Sequence, residues 1–329
     1  MAEYKGIKGF KVQYLSADPS DPIIGQTWYN STSKDLKYTG VTTAGAWATG
    51  NNLNTARNAL AGCGTQTAGL AFGGYTGTAN TGSTEEYDGN SWTNSNPLIA
   101  ARRGLRGVGI QTAGLTFGGI DATANTGATE EYDGNSWATS PGSLSTVRRY
   151  LGGAGTQTAG LAFGGSLPPV TNATEEYNGT TWSPSNNMIT ARATVGGAGT
   201  QTAALAFGGG VPPPTSYTTA TEEYDGNSWT TSAGSLNTAR DSLAGCGIQT
   251  AALAFGGYNP GAASNATEEY DGTSWTSNPT GLNTARYELA DAGIQTAALA
   301  FGGALPTATA ATEEWTGAGS PLTKTITVS

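Results

Sequence analysis

Short stretches of alternating apolar and polar residues divide the chain into strand-length segments. In residues 57–93, RNALAGCG predicts a first strand and TQTAGLAFGG a second. The second strand places Leu70 and Phe72 on one face and small residues on the other, a period of two that is typical of β-strands. TEEY predicts a third strand, the Asp88-Gly89 pair a hairpin turn, and NSWT a fourth strand. Because Gly, Thr and Asn dominate these segments, no helix is predicted.

This four-strand pattern occurs six times along the chain. Its phenylalanine recurs every 44 to 48 residues, at Phe72, Phe117, Phe163, Phe207, Phe255 and Phe301. A period of this length indicates a repeat architecture in which one structural unit is copied. Four meandering strands in one such period are typical of a β-propeller blade. A solenoid of hairpins is the structural alternative, but it would need polar end caps, which the sequence does not show.

The repeat resembles the kelch family in four features that recur in the same order. In the first copy they are Arg57 before the first strand, Gly73-Gly74 closing the second, then Tyr87 and Trp92. The resemblance covers residues 53–329 and implies a kelch-type propeller.

The first 50 residues match one further, divergent copy. Trp47 precedes Trp92 by 45 residues, and Trp28 precedes Phe72 by 44. GFKVQYLS, GQTWYN, DLKYTG and GAWAT would be its four strands. We therefore expect an all-β fold, a β-propeller of four-stranded antiparallel blades, with seven blades favoured. Six blades plus an N-terminal module is the alternative.

The expected domain organisation follows from this count. Residues 1–52 form a divergent first blade or docking segment, and residues 53–329 form one propeller domain. Its repeats lie at about 53–97, 98–143, 144–187, 188–235, 236–281 and 282–329. The tail PLTKTITVS alternates Thr with apolar residues, as strands do. It either supplies the outer strand of the last blade or pairs with the N-terminal blade and closes the ring.

Composition excludes several classes of chemistry. The chain has no histidine, the commonest general base and metal ligand, so we expect neither a cofactor nor a metal site. Cys63 and Cys246 occupy equivalent repeat positions and are expected to be small core residues, too far apart for a disulfide. The net charge of −9 and the absence of a basic stripe argue against nucleic-acid binding. No apolar run is long enough to insert into a membrane, and the N-terminus lacks a signal peptide.

Paired glutamates recur in every repeat, beside one arginine in a fixed register. Neighbouring residues on a strand point to opposite faces, so the two carboxylates cannot converge on one proton or ion. We expect one glutamate of each pair to bind a blade arginine and backbone amides. The residues assigned this structural role are Arg57, Arg102, Arg148, Arg192, Arg240 and Arg286, with Glu86, Glu131, Glu176, Glu223 and Glu269.

The loops after each Gly-Gly pair differ in every copy, whereas the strands hardly change. A rigid scaffold with variable loops is how binding surfaces are commonly built; drift without function is the alternative. The candidate binding residues are Tyr75, Thr76, Asp121, Pro168, Pro169, Pro212, Pro213, Pro214, Tyr217, Tyr258, Asn259 and Pro260. A separate set of lysines near the N-terminus suggests a docking surface: Lys5, Lys8, Lys11, Lys34 and Lys37.

A second resemblance covers nearly the whole chain. GQTWYNSTSKDLKY, together with TQTAGLAFGG and TEEYDGNSW, resembles kelch-like structural proteins of marine bacteriophages, notably those that infect cyanobacteria. It implies a non-enzymatic component of the virion head surface, tail or fibre, made in the host cytoplasm. Its partners would be other virion proteins and a host-surface glycan or protein.

Two alternatives remain at this stage. One is a cellular lectin-like or protein-binding propeller. The other is a glycan-active enzyme, which would need one blade with unique acids. The acids that depart from the repeat pattern are Asp121, Asp241, Glu288 and Asp291.

Overall fold

The computed structural model describes residues 12–20, 23–41, 44–212, 216–319 and 321–326. These residues form strands, turns and loops without a helix, which confirms the all-β prediction. The chain divides into two compact units, one of Met1–Gly45 with Thr316–Ser329 and one of Ala46–Trp315.

The strands of the larger unit follow the repeat. The smaller unit contains three strands before them, β1 (Gln13–Leu15), β2 (Thr27–Asn30) and β3 (Asp35–Val41). In the larger unit, β4 (Ala46–Gly50) precedes blade I, which is β5 (Ala61–Thr65), β6 (Ala68–Phe72), β7 (Thr84–Tyr87) and β8 (Trp92–Ser95). Blade II is β9 (Arg106–Ile110), β10 (Ala113–Phe117), β11 (Thr129–Tyr132) and β12 (Trp137–Thr139). Blade III is β13 (Gly152–Gly155), β14 (Gly160–Phe163), β15 (Thr174–Tyr177) and β16 (Trp182–Ser185).

Blades IV and V each carry an additional small hairpin between their second and third blade strands. Blade IV is β17 (Gly196–Thr200), β18 (Ala203–Phe207), the hairpin β19 (Gly210–Val211) and β20 (Ser216–Tyr217), then β21 (Thr221–Tyr224) and β22 (Trp229–Thr231). Blade V is β23 (Ala244–Ile248), β24 (Ala251–Phe255), the hairpin β25 (Tyr258–Asn259) and β26 (Ala262–Ala263), then β27 (Thr267–Tyr270) and β28 (Trp275–Ser277). The last repeat contributes β29 (Ala290–Ile294), β30 (Ala297–Phe301) and β31 (Thr312–Thr316), and the chain continues into β32 (Pro321–Thr325).

The larger unit is a ring of six blades. Its inner strands β5, β9, β13, β17, β23 and β29 are neighbours in that order, and β29 also lies against β5. The outer strand of blade VI is β4, which pairs beside β31. Residues just before the first repeat thus complete the last blade, so the ring closes without a free sheet edge at this junction.

A seventh four-stranded sheet, in the order β1-β2-β3-β32, lies in the smaller unit. The sequence therefore predicted the number of four-stranded sheets, but the ring corresponds to the alternative of six blades plus an N-terminal module. All four strands expected from the divergent copy exist, yet β1 pairs with β2 in parallel, unlike a blade. The strand from GAWAT belongs to blade VI, so the propeller begins at Ala46 rather than at residue 53. The tail pairs with β3, while closing the ring is the role of β4.

Adjacent blades pack through the repeated aromatic residues. Phe72 of blade I packs against Trp137 of blade II, with ring centroids 4.8 Å apart. The Trp137 indole Nε1 donates a hydrogen bond to Thr84 Oγ1 at 2.9 Å, back into blade I. At the closure, Trp47 makes the same contacts with blade V: its ring lies 4.8 Å from Phe255, and its Nε1 donates to Thr267 Oγ1 at 2.9 Å.

At five of the six blade junctions one position of the inner strand has no room for a side chain and is glycine, whereas blade VI has Asp291 there. A Cβ on Gly107 of blade II would lie 2.4 Å from the Phe72 ring of blade I. The glutamine at the first turn of each blade adds a polar link. Gln111 Nε2, for example, donates to the carbonyl oxygens of Gly69 and Tyr87 in the preceding blade, at 3.0 and 2.8 Å. The recurrence of these contacts around the ring makes it a tightly packed scaffold.

The blade arginines are fully buried, and each pairs with the first glutamate of its blade rather than the second. The pairs are Arg57–Glu85, Arg102–Glu130, Arg148–Glu175, Arg192–Glu222, Arg240–Glu268 and Arg286–Glu313. Burial lowers the pKa of each arginine, and the glutamate partly raises it again. Each glutamate also accepts a backbone N–H at the start of its repeat, as Glu222 does from Ile189 at 2.7 Å. The carboxylate thereby fixes the segment that enters the inner strand.

The second glutamate has a different structural partner, the strand tyrosine of the next blade. The hydroxyl groups of Tyr132, Tyr177, Tyr224 and Tyr270 donate to Glu86, Glu131, Glu176 and Glu223, respectively. Burial first, and the glutamate second, raise the pKa of these four tyrosines to about 12. Blade VI has Trp315 in place of the tyrosine, and Glu269 instead accepts from Asn278 Nδ2 at 2.8 Å. Apart from Glu269, whose partner lies in its own blade, the second glutamates therefore tie neighbouring blades together without an arginine.

Candidate binding face and central bore

The variable loops of all six blades gather at one end of the ring, where the inner strands begin. Each loop forms a backbone bridge to the residue that follows the buried arginine. The bridges are Asn58–Tyr75, Arg103–Ile120, Arg149–Ser166, Ala193–Gly210, Asp241–Tyr258 and Tyr287–Ala304. We call this end the loop face. The structure therefore brings together the loops that the sequence predicted as one surface.

A closed ring of backbone hydrogen bonds surrounds the axis at the loop face. One residue per blade has a φ between 49° and 61°: Ala59, Gly104, Tyr150, Thr194, Ser242 and Glu288. The N–H of each donates to the carbonyl of its equivalent in the preceding blade at 2.7–3.0 Å, and Ala59 N–H donates to Glu288 O. Five of the six are not glycine, and a left-handed conformation costs such residues about 1 kcal/mol or more. The ring of hydrogen bonds offsets this cost and holds their side chains around the opening.

Two residues per blade at this opening differ among the six copies. They lie between the buried arginine and the next leucine or valine: Asn58-Ala59, Arg103-Gly104, Arg149-Tyr150, Ala193-Thr194, Asp241-Ser242 and Tyr287-Glu288. We call these residues the mouth. Except for Asp241 and Glu288, sequence analysis did not single them out. Aligning the repeats on the arginine would have found them, because the two positions vary between fixed neighbours.

Charges are divided between opposite sides of the mouth. The cations Arg103 and Arg149 lie on blades II and III, and the carboxylates Asp241 and Glu288 lie on blades V and VI. In a six-bladed ring these blades face each other across the axis. The Arg103 guanidinium also stacks over the ring of Tyr75, 4.5 Å from its centroid. The mouth is thus cationic on one side and anionic on the other.

Glu288 is the more enclosed of the two mouth carboxylates. Burial raises its pKa, and the nearby charge of Asp241 raises it further. Asn58 Nδ2 donates a hydrogen bond to Glu288 Oε2, and Arg103 and the Tyr150 hydroxyl also stabilise the charged form. Burial remains the largest cause of the shift in pKa, so the folded protein holds the proton of the Glu288 carboxyl more tightly than the unfolded chain does.

Replacing Glu288 by glutamine should therefore change the pH dependence of stability. A raised pKa contributes stability that is complete below the unfolded pKa of about 4.3 and is lost as the pH rises through the folded pKa. We expect Glu288→Gln to unfold at a higher temperature than wild type at pH 8 and at nearly the same temperature at pH 4. The measurement is thermal unfolding by circular dichroism at both pH values. A variant no more stable than wild type at pH 8 would contradict this account of the burial.

Three tyrosines form a row on the loop face of blades IV to VI. Tyr217 at the end of β20 and Tyr258 at the start of β25 have ring centroids 6.0 Å apart. Tyr258 and Tyr287 meet edge to face at 5.3 Å. All three are half-buried. The two small hairpins bring the predicted residues Tyr217 and Tyr258 together and add Tyr287, which the prediction did not include.

Most other candidate binding residues lie in the loops without meeting one another. Asp121 accepts hydrogen bonds from the backbone of Thr123 and Ala124, and Thr76 accepts one from Ala79 N–H. These two side chains stabilise their own turns. Pro168, Pro169, Pro212 and Pro260 are exposed, and Asn259 lies in β25. Pro213 and Pro214 lie outside the described residues.

Two of the predicted docking lysines, Lys34 and Lys37, lie in the described part of the smaller unit. Lys37 Nζ binds Asp18 Oδ2 at 2.7 Å. Hydrogen bonds from Lys37, Trp28 and Asn30 lower the pKa of Asp18 to about 2. Lys34 occupies a turn with a φ of 63°. Lys5, Lys8 and Lys11 lie outside the described residues, so the docking surface stays a prediction.

One ion pair crosses the bore, the central channel that runs along the ring axis. Arg106 of blade II reaches Asp291 of blade VI at 3.3 Å and the carbonyl oxygen of Gly197 of blade IV at 3.2 Å. Arg106 belongs to blade II and contacts blades IV and VI, so its guanidinium must lie at the centre of the ring. Arg106 lines both a cavity of about 60 Å³ on the side of the mouth and one of about 140 Å³ beyond it. Burial raises the pKa of Asp291, and Arg106 lowers it in part.

The two cysteines are buried and unpaired, as small core residues would be. Both also border the larger bore cavity. Burial raises the pKa of the Cys63 thiol to about 12 and that of Cys246 well above its usual value. Neither is a thiolate near neutral pH, so neither is suited to nucleophilic chemistry there.

Comparison with known proteins assigns no family: no family model matches the chain, and no curated protein does. Among the residues that the structure describes, no cluster of three acidic or cysteine side chains is placed to hold a metal ion. No helix in that part of the chain is long and apolar enough to cross a membrane. What the geometry offers is a ring with internally paired polar groups and a loop face whose side chains differ from blade to blade.

Proposed function

We propose that this chain is a non-enzymatic structural protein of a bacteriophage virion, on the head surface, tail or a fibre. Its kelch-type propeller presents the loop face to the surroundings of the particle. The observation that carries the binding role is the contrast between the blades. Their buried arginines, glutamates, tyrosines and tryptophans repeat around the ring, whereas the mouth and loops differ in every copy.

The assignment to a virion rests on the sequence. GQTWYNSTSKDLKY and the repeat motifs resemble structural proteins of marine phages. A ring tied by buried ion pairs and inter-blade hydrogen bonds is compatible with a protein that remains folded outside a cell. The scarcity of lysine and arginine, 15 residues in 329, leaves few cleavage sites for trypsin-like proteases.

The test is mass spectrometry of purified, nuclease-treated particles from the virus that encodes the chain. We expect its peptides in intact particles at a constant ratio to the major capsid protein across the density gradient. Absence from particles, with the protein present in the infected lysate, would overturn the virion assignment. A cellular binding propeller would then be the better description.

One observation favours a glycan-active enzyme as a second candidate. Asp241 and Glu288 interact electrostatically, and burial raises the pKa of both. Glycosidases use a pair of carboxyl groups, one of them with a raised pKa. We expect no reducing sugar to be released from neutral polysaccharides on long incubation. Release that is lost in Glu288→Gln would contradict the non-enzymatic assignment.

A further inference from the structure

The row of Tyr217, Tyr258 and Tyr287 is built differently from the rest of the loop face. In blades IV and V the loop forms a hairpin with two paired residues on each strand, β19–β20 and β25–β26, whereas each of the other four loops has a single bridge within the loop. These hairpins carry Tyr217 and Tyr258, and the centroid distances of 6.0 and 5.3 Å place three phenol rings in one continuous surface. Tyrosine offers a flat apolar ring with a polar end, and in such a row it can contact a ligand over several rings.

A carboxylate and two hydroxyl groups lie at the base of this row. Asp241 is joined to Tyr258 by two backbone hydrogen bonds, of 3.0 and 2.8 Å. Its carboxylate interacts with the hydroxyl groups of Ser242 and Thr194. A Cβ on Gly210 would stand 3.3 Å from Asp241 Oδ2, so a side chain at position 210 would crowd this oxygen. The cluster thus combines aromatic surface with hydrogen-bond acceptors and donors.

This combination fits a sugar ring better than a peptide or an anion. A pyranose has an apolar C–H face that packs on an aromatic ring, and hydroxyl groups that donate to carboxylates. Binding sites with apolar walls and a few placed polar groups fix the orientation of such ligands. The carboxylate at the base of the row is that of Asp241, whereas Arg103, which interacts with Glu288, stacks on Tyr75 of blade I. The anionic group of a sialylated or sulfated sugar bound on the row would therefore be repelled by Asp241.

We propose that the cluster of Tyr217, Tyr258, Tyr287 and Asp241 binds a neutral pyranose residue of a cell-surface polysaccharide. This proposal deepens the attachment role given above and rests on it for its biological setting. Binding itself is a property of the purified protein and is tested without particles.

Blade I supplies a matched control. The sequence grouped Tyr75 with the candidate binding residues, but the structure pairs it with Arg103 instead of with the tyrosine row. Tyr75 bridges to Asn58 as Tyr258 bridges to Asp241, so its bridge partner is an amide rather than a carboxylate, and it lies under the Arg103 guanidinium. Removing Tyr75 or Tyr258 deletes the same side chain at the same repeat position. A difference between the two variants therefore reports the surroundings of Tyr258 rather than a general loss of folding.

The experiment uses the full-length protein, biotinylated and presented on streptavidin so that weak sites act together. It is applied to an array of neutral, sialylated and sulfated oligosaccharides. We expect binding to neutral members, at least tenfold weaker in Tyr258→Ala and in Asp241→Asn, and unchanged in Tyr75→Ala. Thermal unfolding of each variant verifies that it is folded.

Several results would overturn this inference. They are no binding to neutral glycans, binding restricted to anionic glycans, or equal losses in Tyr75→Ala and Tyr258→Ala. Mass spectrometry of particles separates the two proposals. A protein that is present in virions but binds no neutral glycan refutes this site alone. A protein that binds neutral glycans but is absent from virions refutes the virion assignment alone.

Discussion

Arg148→Ala should lower the free energy of unfolding by about 3–5 kcal/mol, the usual cost of removing one partner of a buried ion pair. Arg148 is fully buried, and its guanidinium binds Glu175 and the carbonyl oxygens of Thr146 and Ala162. The substitution leaves Glu175 buried without its cation and removes the donor to the carbonyl oxygens of Thr146 and Ala162. For a unit of this size the loss corresponds to a fall in Tm of roughly 6–20 °C. Thermal unfolding by circular dichroism measures it.

The next residue is the matched control. Arg149 lies at the mouth, half-buried, with its guanidinium 5.7 Å from the Tyr150 ring and without a buried carboxylate partner among the described contacts. Arg149→Ala should therefore cost less than about 1 kcal/mol, as for an exposed pair. Equal losses in Arg148→Ala and Arg149→Ala would show that the buried pairs do not support the blades.

The second large effect is expected at Trp47, the residue that completes blade VI. Its indole packs on Phe255 and Trp315, with centroids 4.8 and 5.3 Å away, and is 7% exposed. Trp47→Ala should cost about 3–5 kcal/mol, the range for emptying an aromatic site in a core. Trp137→Ala, the equivalent change in blade II, should cost a similar amount. Denaturant unfolding of both variants provides the comparison.

A double-mutant cycle identifies which blade Trp47 joins. Its Nε1 donates to Thr267 of blade V, as Trp275 donates to Thr221 of blade IV. Trp47→Phe and Thr267→Val should be coupled by about 1 kcal/mol, whereas Trp47→Phe and Thr221→Val should be additive. Additivity in both cycles would place Trp47 somewhere other than blade VI.

Local pattern was enough to predict the blades. The six copies carry alternating strands and a Gly-Gly pair, and five of them an Asp-Gly or Asn-Gly turn. These features depend on neighbouring residues only. Gly73 and Gly74, for example, have φ values of 65° and 109°, which glycine adopts without strain. The gathering of the variable loops on one face also followed from the repeat, because equivalent loops in a ring leave from the same end.

Pairing between distant segments was not predictable from the pattern. The strands of residues 1–50 have the spacing of a blade, and nothing local shows that Ala46–Gly50 pairs with β31 instead of with β3. The choice depends on closing the ring, which buries Trp47 against Phe255.

The glutamate pairs illustrate a similar limit. Alternation on a strand showed that Glu222 and Glu223 face opposite ways, but which face meets Arg192 depends on the packing of the blades. The structure assigns the arginine to Glu222 and the tyrosine of the next blade to Glu223. The mouth was missed for a different reason. Its residues stand beside the repeated arginine, where six superposed copies reveal variation that one copy does not.

Closure of a six-bladed ring by β4 is the claim on which the loop face and its mouth depend. Two truncated chains test it directly, residues 46–319 and residues 51–319, which differ only by β4. We expect the longer chain to unfold in one cooperative transition near that of the propeller in the full chain. The shorter chain, which lacks Trp47 and leaves β31 as an open edge, should unfold roughly 10 °C lower or more. Equal unfolding temperatures of the two chains, measured by circular dichroism, would contradict the six-bladed closure.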